Sequence, residues 1–204
     1  MSTSSLGSDR SINDSLHAAR NAIDALLRDE ALLTRASEVP GLIARSLAAG
    51  GKVMAIGNGG SNADAAHFAE ELTGRFRLDR PALAAMACTD AGHITCTAND
   101  YGYDFVFSRW VEALGRKGDV LIAISTSGSS INVLKAVQSA HQRGMIVVGL
   151  LGKTGGKLKE LCDVELIVPG DGTDRIQELH MLLLHAWVER VEGLLFPGGE
   201  VASH

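Results

Sequence analysis

Apolar and polar positions along the chain change rhythm several times. From Ser11 the apolar residues Ile12, Leu16, Ala19, Ile23 and Leu26 recur every three or four positions. That is the spacing of an amphipathic helix, and the pattern predicts that it runs to about Ala36. Leu42, Ile43 and Leu47 mark a second, short helix, stopped by Gly50-Gly51. Beyond the two glycines, short and nearly unbroken apolar runs alternate with helical stretches. KVMAIG (52–57), a weaker ALAAM (82–86), DVLIAIS (119–125), MIVVGLL (145–151) and VELIV (164–168) read as strands. Residues 61–74, 103–114, 131–143 and 174–195 read as helices, the last with Ile176, Leu179, Leu183, Trp187, Val191 and Leu194 on its apolar side. Strands that are apolar on both faces belong to a parallel sheet covered by helices on both sides. The expected fold class is therefore α/β, one domain with an N-terminal helical extension. Ligands of such sheets bind beyond the carboxyl ends of the strands, which here carry GNGGS and STSGSS.

Composition narrows the picture. Apolar residues make up 46% of the 204 and charged residues 21%, the balance of a globular chain. A formal charge of −5 argues against nucleic acid as a partner, because phosphate backbones are bound by clustered Lys and Arg. Cys88, Cys96 and Cys162 are odd in number and form no C-x-x-C, so neither a disulfide framework nor a thiolate zinc knot is expected. The polar start MSTSSLGSDR has no apolar run of the secretory kind, and no stretch approaches the ~18–20 apolar residues of a membrane span. A cytoplasmic protein without membrane partners is expected, with residues 1–10 as a disordered lead.

Three motifs are decoys. GNGGSN (57–62) lacks the sixth-position glycine of a dinucleotide-binding turn, since Asn62 stands there. GLLGKT (149–154) is two residues too short for a P-loop, and the sequon Asn13-Asp14-Ser15 has no meaning in a cytoplasmic chain.

Other residues carry chemistry. Ser125, Thr126, Ser127, Gly128, Ser129 and Ser130 follow the strongest strand and precede a helix. Hydroxyls, a tight glycine turn and a positive helix end together make a phosphate cradle that needs no cation; the plainer alternative is a Ser-rich loop with Ser130 capping the helix. Asn58, Gly59, Gly60 and Ser61 follow an earlier strand, with Ser61 placed as a helix N-cap, and would face the same cleft. His67 and Glu71 lie four apart on the next helix, about 40° apart around its axis, as a metal half-site, a base with its partner, or a solvated ion pair. Gln177 and His185 are two turns apart on the closing helix, whereas His180 is turned about 140° from His185 and does not serve the same site. Asn99 and Asp100 sit in TANDYGYD, read as a turn-rich segment before a helix, with polar groups suited to hydroxyls.

Taken together, GNGGSxxDxxHFAEELTGR, GHITCTANDYGYD, GDVLIAISTSGSS and DRIQELH…H resemble the phosphoheptose isomerases, sugar-isomerase (SIS) domain enzymes. The resemblance runs from about Asn21 to Phe196. It implies a single SIS domain (51–197) of flavodoxin-like three-layer form, with oligomerisation helices at 11–50 and a tail at 198–204. It implies aldose–ketose isomerisation of sedoheptulose 7-phosphate to D-glycero-D-manno-heptose 7-phosphate, feeding activated heptose for lipopolysaccharide or other surface polysaccharide. It also implies a homotetramer with active sites between subunits. Carried over residue by residue, Ser61, Ser125, Thr126, Ser127 and Ser130 would hold the phosphate. Asn58, Gly59, Gly60, Asn99, Asp100 and Gln177 would contact the sugar, with Arg75 and Asp174 lining the site. Glu71 and His185 would be the catalytic pair, and His67, Glu71, Gln177 and His185 the ligands of one zinc ion per subunit. Proton transfer between C1 and C2 through an enediol needs a base and an acid, for which Glu71 and His185 are suited. A carboxylate held tightly by zinc is a weaker base, so Glu71 must loosen or the ion polarises the carbonyl. The rivals are a non-catalytic SIS regulator of the replication initiator DnaA, disfavoured because Glu71 and His185 are both present, and another sugar-phosphate isomerase.

Overall fold

The computed structural model describes residues 11–198; the disordered lead expected at 1–10 and the tail beyond 198 lie outside the described residues. Five strands, β1 (Val53–Ile56), β2 (Ala85–Ala87), β3 (Val120–Ser125), β4 (Ile146–Gly152) and β5 (Val164–Val168), form one sheet in the order β2-β1-β3-β4-β5. Every pairing is parallel. This is the expected α/β sandwich, and its order reverses between β1 and β3, the point at which such sheets open a crevice at their carboxyl ends.

The alternation of side chains along each strand divides the interior into two cores. Val53 and Ala55, Val120, Ile122 and Ile124, Val148 and Leu150 pack on one face, with helices α2 (Glu30–Ala48), α3 (Gly60–Thr73) and α7 (Thr173–Leu195). Met54, Ile56, Leu121, Ala123 and Val147 pack on the other, with α5 (Val106–Leu114) and α6 (Ile131–Gln142). The strand runs are unbroken in apolar character because both faces are covered.

The N-terminal region differs from the expected one long and one short helix. Helix α1 (Ile12–Arg28) ends at Asp29, whose carboxylate accepts the Leu32 N–H at 2.9 Å and starts α2. Periodicity passes smoothly across this break; the capping carboxylate decides it. Helix α2 then continues through Pro40. A proline ring has no N–H for the carbonyl four residues back, and that carbonyl, Ala36 O, instead accepts the indole N–H of buried Trp187 at 2.9 Å. The helix interruption thus becomes a cross-link between α2 and α7. Of the apolar stripe on α1, Leu26 is buried and Ala19 and Ile23 are half-buried, but Ile12 and Leu16 are exposed, as is Leu194 on α7.

Two further expectations are corrected. The segment read as turn-rich, around Asn99 and Asp100, is helix α4 (Ala91–Tyr101), opened by Asp90 accepting the His93 N–H at 2.6 Å and ended at Gly102, whose φ is +91°. Ser61 is not a cap: Gly59 precedes α3, and no side chain caps it.

Trp187→Phe is expected to lower unfolding free energy by about 2–3 kcal/mol, through a cavity and an unpartnered Ala36 carbonyl, as a fall in the urea midpoint. Adding Pro40→Ala in that background supplies a backbone N–H to the same carbonyl and is expected to recover part of the loss.

Candidate active site

Helices α3 and α7 leave the carboxyl ends of β1 and β5 on the same face of the sheet, so they run side by side in the same direction. At their beginnings, Gln177 lies flat against Gly60, where a Cβ would come within 2.4 Å of the amide. One turn along, the Gln177 amide N–H donates to Asp64 Oδ1 at 3.3 Å. Two turns along, His67 Nε2 is 3.0 Å from His185 Nε2, one ring donating and the other accepting, and 3.3 Å from Glu71 Oε1. The ring of Phe76 stacks on His185 at 5.7 Å and 19°. The structure therefore brings His67, Glu71 and His185 together, with Gln177 nearer the start of the same helix pair.

Burial raises the Glu71 carboxyl above its ordinary value, and the adjacent Glu70 charge adds to this. Asp64 is also raised, by burial, against the Gln177 hydrogen bond, and its Oδ2 is buried without a hydrogen-bond partner among the described residues. The donor atoms of His67, Glu71 and His185 all lie within 4.8 Å of one another. Two ligands on a tetrahedral zinc at 2.0–2.1 Å stand about 3.3 Å apart, close to the 3.0 and 3.3 Å observed. The three residues fit a shared metal ion.

At the β1–β3 switch point, two loops meet. Asn58 and Asn132 exchange amide hydrogen bonds at 2.9 and 2.8 Å, and the Tyr103 hydroxyl donates to Asn58 Oδ1 at 2.9 Å. Ser125 Oγ accepts the Gly128 N–H at 3.1 Å and lies 3.4 Å from Ser130 Oγ. Ser130 precedes α6 but makes no side-chain capping bond, which removes the plainer reading of that serine. Gly128, at φ +63°, passes so close to Gly155 that a Cβ would lie 1.9 Å from its carbonyl oxygen. Neither Gly59 nor Ser130 caps its helix through a side chain, so α3 and α6 begin at this crevice with their positive ends toward it, although Asn132 Oδ1 accepts the Val133 N–H at 2.9 Å.

Other predicted residues stand apart. Asn99 donates to Asp100 at 2.8 Å at the exposed end of α4. Arg75 is exposed, and Asp174 is exposed and paired with Arg175 at 3.1 Å. His180 is fully buried and donates to Leu151 O, on a different side of α7 from His185 as its spacing required. Sequence reasoning left Asp64, Asn132, Tyr103 and Phe76 unassigned. Asp64 had a local signal, three residues before His67 on one helix face; the others come together only through the fold.

Known proteins are similar to this chain in sequence and fold. The SIS domain family matches residues 16–152. A phosphoheptose isomerase from Fusobacterium nucleatum is 58% identical over 148 residues, 72% of this chain and 76% of that protein. One from Aeromonas salmonicida is 51% identical over 182 residues, 89% of this chain and 95% of that protein. The solved phosphoheptose isomerase of Francisella tularensis superposes with a TM-score of 0.84 at 36% identity, covering 88% of this chain and 95% of that one. The chain is a member of the phosphoheptose isomerase family of SIS-domain proteins. The SIS-domain match includes the crevice loops and α3, with His67 and Glu71, and ends before α7.

Burial lowers the His180 pKa from 6.5 to about 4, and its Nδ1 is buried without a hydrogen-bond partner among the described residues. The folded ring therefore holds a proton less tightly than the unfolded one. Its contribution is complete above pH 6.5 and is lost as pH falls toward 4, by roughly 3 kcal/mol. His180→Gln, which keeps an N–H for Leu151, is expected to flatten the dependence of urea stability on pH across that window relative to the parent.

Proposed function

We propose that this chain isomerises D-sedoheptulose 7-phosphate to D-glycero-D-manno-heptose 7-phosphate, with Glu71 and His185 as the proton-transfer pair. The observation that carries the reading is the meeting of His67, Glu71 and His185 within 4.8 Å, beside a serine-lined crevice.

The reaction sets a geometric demand. Its chemistry is at C1 and C2, while the phosphate is at C7, so the anion site and the proton-transfer site must be separated by the length of the sugar. From Gly60, at the crevice, to His67 the axial rise along α3 is about 10 Å, comparable with an extended seven-carbon chain. Ser61, Ser125, Thr126, Ser127 and Ser130 take the phosphate with hydroxyls, assisted by the positive ends of α3 and α6. Asn58 to Gly60 and Gln177 face the sugar hydroxyls, with Asn99 and Asp100 as further contacts.

In the ketose-to-aldose direction, Glu71 takes a proton from C1. The C1–C2 bond becomes the double bond of an enediol, and His185 donates a proton to the C2 oxygen as its negative charge develops. Glu71 then returns a proton to C2 while the O1 proton leaves to His185, so both groups regain their starting states. A raised Glu71 carboxyl is better matched to a carbon acid than an ordinary glutamate. His67, Glu71 and His185, with Gln177, would hold a zinc ion. When bound, it supplies a Lewis acid for the carbonyl oxygen.

The exposed Ile12, Leu16 and Leu27 on α1 and Leu182 and Leu194 on α7 support helices 11–50 as an oligomerisation element, in a homotetramer that completes each site between subunits. No helix among the described residues is long and apolar enough to cross a membrane, and three free cysteines suit the reducing cytoplasm. The heptose phosphate would then feed activated heptose for surface polysaccharide.

Glu71→Gln is expected to cut turnover about a thousandfold, within the range of general acid–base effects, with sedoheptulose 7-phosphate still bound; NMR of the sugar in D2O reads both turnover and deuterium incorporation at C2. Parent-like turnover in Glu71→Gln would overturn the assignment of the base. Calorimetric titration with Zn²⁺ is expected to give one site per chain, lost in His67→Ala.

A further inference from the structure

Seven residues after His185, and so nearly in line with it along α7 (about 20° around the axis), stands Glu192. Its carboxylate forms a buried ion pair with Arg80, Oε1 accepting from Arg80 Nε at 2.9 Å, with the side chains 1% and 2% exposed. Among the described residues neither side chain hydrogen-bonds to the crevice loops or the histidines, and no local pattern links positions 112 residues apart.

Their remaining hydrogen bonds all go to backbone, most of it at or just after the end of α3 that carries Glu71. Arg80 Nη2 donates to the carbonyl of Glu71 itself at 2.8 Å, and Nη1 to the carbonyls of Leu72, Gly74 and Pro81 at 2.7, 3.1 and 3.2 Å. Glu71 and Leu72 lie in the last turn of α3, whose carbonyls have no partner within the helix. Glu192 accepts the backbone N–H groups of Phe76 at 3.2 Å, Arg77 at 3.0 Å and Leu78 at 3.2 Å. That fixes the strand of chain whose Phe76 ring stacks on His185.

We propose that Arg80 and Glu192 are positioning residues for isomerisation: as one unit they pin the Glu71 backbone and, through Phe76, the plane of the His185 ring. A buried ion pair adds little net stability compared with an apolar replacement, so its value here is geometric. It ties the end of α3 to α7 at the level where a base on one helix and an acid on the other must share a substrate. Small displacements of such groups lower the chemical step far more than binding. The inference rests on the reading of Glu71 and His185 as the proton-transfer pair.

The test is steady-state isomerisation of sedoheptulose 7-phosphate by the full chain at 25 °C, with circular dichroism to establish folding. Glu192→Gln keeps the acceptor oxygen but loses the charge and one amide acceptor, and Phe76→Leu keeps apolar volume but loses the stacked ring. Both are expected to lower kcat about tenfold or more with KM within twofold, and Phe76→Tyr to restore parent kcat. A merely structural role would lower Tm and leave kcat in place. A folded Glu192→Gln or Phe76→Leu protein with parent kcat, or with the loss confined to KM, overturns the proposal. Where Glu192→Gln does not fold, the Phe76→Leu and Phe76→Tyr pair decides alone. Parent-like turnover in Glu71→Gln would instead sink the underlying reading, so the two failures are distinguishable.

Discussion

Helices α3 and α7 leave the same end of a parallel sheet and lie on the same face of it, so their residues advance in step. Gly60 meets Gln177 at the start, Asp64 bonds Gln177 one turn on, and His67 meets His185 two turns on. An antiparallel pair would bring His67 and Glu71 opposite the start of its partner and leave His185 alone. The direct contact depends on Gly60 having no side chain, because a Cβ there would displace the Gln177 amide. The His67–Glu71–His185 cluster is thus a product of strand direction first and of residue identity second.

The other half of the site depends on the reversal of strand order between β1 and β3. Because each strand feeds its helix away from that line, two helix beginnings converge there. The reciprocal amide bonds between Asn58 and Asn132 join the two loops across it. Both Asn58 Oδ1 lone pairs are engaged, by Asn132 and by Tyr103. The side chain of Asn58 is therefore mostly a brace, and the loop's backbone is the surface it offers to a ligand.

Much of this was legible in the chain. The apolar runs gave all five strands and their parallel character because burial on both faces leaves a one-dimensional trace. The serine loops and the i,i+4 pair of His67 and Glu71 were legible for the same reason, as local features. The unexpected parts follow from interactions that periodicity does not record. The break at Asp29 is a capping bond inside an unbroken apolar rhythm. Asn99 and Asp100 are helical because Asp90 starts α4 upstream of a stretch whose own composition favours turns. The contacts of Asn132, Phe76, Arg80 and Glu192 cross from one element to another and depend on the finished fold.

Trp187 stands two residues beyond His185, on the opposite side of α7 (about 200° around the axis), with its indole held by the Ala36 carbonyl. With the ring of Phe76 on one side and this anchor on the other, α7 can neither roll nor slide without losing a bonded contact. The wall of the site behaves as a fixed gauge, set between the proposed anion seat at one end and paired imidazoles at the other. With the phosphate and proton-transfer sites as proposed, discrimination among sugar phosphates would fall to molecular length, and a ketose one carbon shorter would be seated by its phosphate and still fall short of the chemistry.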